Sequence, residues 1–104
     1  MAPIEQTFHN EMMQGIEATR KKHGYVPTYF LKMVAEHGAV QTAKLLLHAE
    51  TPQDGLNKLW ELGELPMTME AQVCEPKYRL LFSREERAIA EKRLTERGYT
   101  PNKK

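Results

Sequence analysis

Four glycines do most to limit how this chain can fold. Gly24, Gly38, Gly63 and Gly98 each stand directly after a stretch of helical periodicity. A glycine just past a helix end adopts backbone angles that a Cβ would obstruct, so a helix can stop there and the chain can turn. His23, His37 and Arg97 directly precede three of them, where a cation meets the negative end of a helix dipole. Helix starts are equally visible. Pro3 and Pro27 suit first-turn positions, which need no N–H donor. Thr51-Pro52-Gln53-Asp54 reads as an N-cap, a proline and an early acid, and Thr68 as the N-cap of a short helix. Ser83-Arg84-Glu85-Glu86 has the S-x-x-E form of a capping box.

Between these marks the apolar spacing is helical. The first segment carries Ile4, Phe8, Met12 and Ile16, with Gly15 leaving room for a close neighbour. The next two carry Phe30, Met33 and Val34, then Val40, Ala43, Leu46 and Leu47. Leu56, Leu59 and Trp60 form a fourth stripe, and short turns follow around Ala71, Val73 and Cys74 and around Tyr78, Leu81 and Phe82. The last helix, Arg84 to Arg97, has only Ala88, Ile89, Ala90 and Leu94 as apolar residues. It is expected to lie mostly on the surface, supported by charge pairs such as Arg87–Glu91. No segment alternates with the two-residue period of a strand, and strict heptads are absent. The expectation is an all-α fold, a compact array of five to seven short helices in one domain over residues 1–98, with a flexible tail over 99–104. Phe30 and Trp60 are expected to be the largest core pieces, with Tyr29 on either side of the boundary.

Charge and cysteine usage narrow the class. A chain of 104 residues can close one modest core without disulfides. Its 15 Lys and Arg against 14 Asp and Glu give none of the basic surplus usual in a domain held by phosphates. Cys74 is the single cysteine, so no intrachain disulfide can form. With no basic, apolar leader and no apolar run near the ~20 residues of a membrane helix, a cytoplasmic protein without membrane association is expected.

Reactive constellations are scarce. No two of His9, His23, His37 and His48 are three or four residues apart, the usual local pairing of metal ligands. Cys74 sits in an apolar turn and reads as an inert thiol, and Glu61 and Glu64 read as solvated acids at a helix end. No glycine-rich phosphate loop is present. Neither an enzyme nor a cofactor is therefore expected.

Binding remains. Adjacent Met12 and Met13 cannot both face one core, so one of them should leave adaptable apolar surface. Together with Phe8 they make the first helix a docking or self-association face, and the corner around Pro27 can present Tyr25 and Tyr29 as aromatic anchors. A non-enzymatic module acting through a protein partner is the expected function. The alternative is DNA binding by a helix-turn-helix-like segment over 28–47, with Gln41, Thr42 and Lys44 on its second helix and Arg20, Lys21 and Lys22 in support. Lys44 falls where that motif requires an apolar residue, which weighs against it.

The string Gly24-Tyr25-x-Pro27-Thr28-x-Phe30-Leu31-x-Met33, followed by His37-Gly38-Ala39-Val40, Ala43-Lys44 and Leu46-Leu47, resembles a recurring bacterial helical module. Asp54-Gly55-Leu56, Leu59-Trp60-Glu61-Leu62-Gly63 and Pro76-x-Tyr78-x-x-Leu81-Phe82-Ser83-x-Glu85-Glu86 continue the likeness over residues 24 to 94. The resemblance implies a helical fold in a bacterial or phage setting. The module itself is uncharacterised, so no activity and no site residue carries over.

Overall fold

Phe8, Met12, Ile16 and Thr19 recur every three or four residues, and in the computed structural model of the chain, which describes residues 3–50 and 54–101, they form the inward stripe of helix α1, Pro3–His23. Helix α2 spans Thr28–His37, α3 Ala39–Leu47, α4 Asp54–Glu61, α5 Met69–Val73 and α6 Arg84–Thr95. Two single-turn 3-10 segments, Leu65–Met67 and Pro76–Tyr78, precede and follow α5. No strand occurs among the described residues. The radius of gyration, 12.6 Å, matches the ~13 Å of a compact domain of this length.

The glycine stops fall where expected, all four at positive φ. Gly38 is the most demanding. At φ 84° and ψ 162° it closes α2 and opens α3 in a backbone region essentially reserved for glycine. Pro27 stands one residue outside α2, as its N-cap. Thr68 caps α5, accepting from the Ala71 N–H. Ser83 and Glu86 form the full reciprocal capping box at the start of α6. The expected N-cap at Thr51 to Gln53 lies outside the described residues.

The main core gathers α1, α2, α3, α5 and α6 around Phe8, whose ring meets Tyr78 edge-on at 4.9 Å and Phe82 at 5.3 Å between centroids. Val34, Ala43, Leu47, Val73 and Ala90 fill the space around them. A smaller cluster of Leu56, Leu65, Ala71 and Leu94 ties α4 to α5 and α6, with Tyr99 against it. Tyr99 and the buried Pro101 thus belong to the folded unit rather than to a free tail, and residues 102–104 lie outside the described residues.

Two core expectations need correction. Trp60 keeps 49% of its surface exposed on α4 and lies under the Arg97 guanidinium, 5.6 Å from the ring centroid. Its stripe partners Leu56 and Leu59 face inward instead, because an eight-residue helix can bury only one side. Helix α6 also hides more than its composition suggests: Glu86, Ala90, Arg93 and Leu94 are all buried.

Candidate functional site

The inner side of α1 does not close completely against the rest of the bundle. Between its middle turns, the corner over residues 25–30, α4, the Leu65–Met67 turn and α5 lies an open cleft of about 830 Å³. Met12, Ile16, Phe30, Leu56, Leu59 and Met69 supply its apolar wall. Tyr29, 67% exposed, stands at the cleft with the exposed Val26 and Met67. The volume falls in the ~300–1,000 Å³ range of ligand sites, with room for several apolar side chains.

Local chemistry explains the shape. The Gly24 turn ends α1 and sends the chain back through Val26 and Pro27, so that Tyr25 and Tyr29 flank a proline corner rather than sit on one continuous helix. The Tyr25 hydroxyl reaches α4 where Gly55 has no side chain, 3.6 Å from where a Cβ would stand. Across the cleft the Met67 methyl lies over Gly15, 3.7 Å from its Cβ position. The neighbour that Gly15 admits is therefore a single methionine at ordinary contact distance.

The cleft also holds carboxylates. Glu70, on α5, is buried and contacts Arg93 of α6 at 3.2 Å. Burial pushes its carboxyl above the usual range, against the pull of its own backbone N–H and of Arg93. Glu11 accepts from Lys77 Nζ at 2.6 Å and from the Tyr78 hydroxyl, which hold its pKa low. Glu75 is raised by burial, is drawn down by Lys77 and is raised again by the facing Glu11.

The residues expected to bind a protein divide over this geometry. Tyr25 and Tyr29 both line the cleft. Met12 lines it too, but as a buried wall residue rather than an exposed anchor, and Met13 is half-buried and outside the lining. Phe8 has no exposed surface and cannot touch a partner from the centre of the core, which corrects its assignment to a docking face. No sequence signal marks Leu59, Met67 and Met69 as site residues, because their convergence depends on how α4 and α5 pack rather than on any local pattern.

The residues expected to read DNA are similarly split. Thr42 is fully buried with its Oγ1 unpaired, so it cannot face a base. Lys44 turns to Glu86 at 2.9 Å and lies over Phe82. Gln41 is exposed. Arg20 pairs with Glu17, Lys22 approaches Glu64 at 3.3 Å, and Lys21 is exposed at the same end of α1. Among the described residues no group of three or more His, Cys, Asp or Glu is placed to hold a metal, and no helix is long and apolar enough to cross a membrane.

No known protein family, curated protein or solved structure matches the chain.

Proposed function

We infer that the chain is a non-enzymatic helical binding module that docks a segment of a protein partner in the cleft between α1, the residue 25–30 corner, α4 and α5. The observation that carries this reading is Tyr29, a tyrosine two-thirds exposed in the lining of a largely apolar cleft that also presents the exposed Val26 and Met67. Large aromatics bring contact area at small entropic cost and dominate binding hot spots. Methionines such as Met12, Met67 and Met69 adapt their shape to whatever apolar side chain arrives.

A photo-cross-linking residue placed at Tyr29 tests this in cells that make the protein. A control at Leu80, which is 92% exposed and outside the cleft, reports collisions. Discrete cross-linked products from position 29 and none from position 80 are expected. Equal labelling from both positions, or none from either, overturns the reading.

A further inference from the structure

Resting on the reading of the cleft as a docking site, we propose that its occupant is a protein segment that combines apolar anchors with a lysine or arginine, the basic side chain seated beside Glu75 and Glu11. The cleft is lined by three carboxylates, Glu11, Glu70 and Glu75, and among the described residues of its lining there is no lysine, arginine or histidine. The cations that answer those carboxylates stand outside the lining. Arg93 lies behind Glu70 and is also taken up by the carbonyls of Leu46, Leu47 and Ala49. Lys77 is shared, 2.6 Å from Glu11 and 3.9 Å from Glu75.

One ammonium between two carboxylates leaves that end of the cleft with surplus negative charge. Glu75 has the looser contact of the two and keeps 47% of its side chain exposed. It stands on a ridge, with a smaller hollow lined by Arg79, Arg84 and Arg87 on its other side, yet Lys77 is the one described cation within ion-pair distance of it. An apolar segment laid over this end would strip water from Glu75 and offer nothing in return, a desolvation cost with no compensating bond. An acidic segment would add repulsion. A segment whose apolar side chains fill the wall of Ile16, Leu59 and Met69, and whose next polar residue is basic, satisfies both parts of the surface.

The test is selection from a phage-displayed library of random twelve-residue peptides on the purified full chain, with counter-selection on a Tyr29→Ser variant to retain only cleft-dependent binders. Retained peptides should be apolar and enriched in Lys and Arg over Asp and Glu. In a representative peptide, replacing the basic residue by Gln should weaken binding about 3-fold, the scale of a partly exposed ion pair. That loss should vanish on the Glu75→Gln chain, in the manner of a double-mutant cycle. Cleft-dependent peptides without basic enrichment overturn the charge assignment and leave the docking site standing. A selection that yields no peptide sensitive to Tyr29→Ser overturns the docking site itself, and this inference with it.

Discussion

The Arg93 guanidinium lies 3.2 Å from a Glu70 carboxylate oxygen, with 9% and 5% of the two side chains in solvent. Arg93 also donates to the carbonyls of Leu46, Leu47 and Ala49, at and just past the C-terminal end of α3. One side chain of α6 thus caps α3 and neutralises the acid of α5 beside the cleft. Removing it leaves a buried carboxylate without its cation and takes a donor from three carbonyls at once. Arg93→Ala should cost about 3–5 kcal/mol, the scale for breaking a buried ion pair from one side, read from urea unfolding midpoints. Arg93→Lys should recover little of it, since an ammonium cannot span the same acceptors as a planar guanidinium.

Glycines at 38 and 15 should respond to alanine with opposite signs. At Gly38 nothing lies within 4 Å of where a Cβ would stand, so any cost there is that of the φ 84° backbone alone, about 1–3 kcal/mol. Gly15 sits inside α1, where alanine is the better helix former by about 0.5–1 kcal/mol, and Met67 already lies at an ordinary contact distance of 3.7 Å. Thermal unfolding of the two variants should show Gly38→Ala melting below the parent and Gly15→Ala at or above it.

Glu86 makes stability depend on acid. Burial raises its pKa, but the Ser83 N–H, Lys44 and His48 outweigh that and bring it down to about 2. A carboxylate lowered on folding contributes stability above its unfolded value, and the contribution disappears as pH falls through the folded one. Stability should therefore drop between about pH 4.5 and 2, with a share of about 3 kcal/mol belonging to this group. In Glu86→Gln that share should be missing from the slope of unfolding free energy against pH, while the variant is already weaker at neutral pH.

Phe8→Ala and Trp60→Ala separate core from surface. Phe8 is fully buried between Tyr78 and Phe82, so its loss should cost about 3–5 kcal/mol. Trp60 is half exposed beneath Arg97, and its loss should cost no more than about 1 kcal/mol. Denaturant unfolding of both variants, followed by far-ultraviolet circular dichroism, gives the comparison directly.

What can be read from the chain follows from which forces are local. Gly38 and Gly98 announce their turns because a positive φ is a property of one residue, and Ser83 with Glu86 caps α6 within four residues. Periodicity misplaces Trp60 because it marks a stripe without saying how wide a side is covered. Arg93 escapes notice for the related reason that α6 is rich in charge. Its place with Glu86 and Ala90 at helical spacing is the available hint that charged groups share the buried side. The cleft is legible at Tyr25 and Tyr29, and at Met12 as part of its wall. Leu59, Met67 and Glu75 reach it from separate elements, and their meeting is a matter of packing order.

The docking surface is tested most directly by following the amide chemical shifts of the ¹⁵N-labelled chain as a cleft-selected peptide is added. Shifts should concentrate on residues 11–16, 25–30, 55–59 and 66–75, while Leu80 and the outer side of α6 stay in place. Shifts gathered instead around Trp60 and Arg97, or around Arg79 and Leu80, would contradict the assignment of the cleft as the binding site.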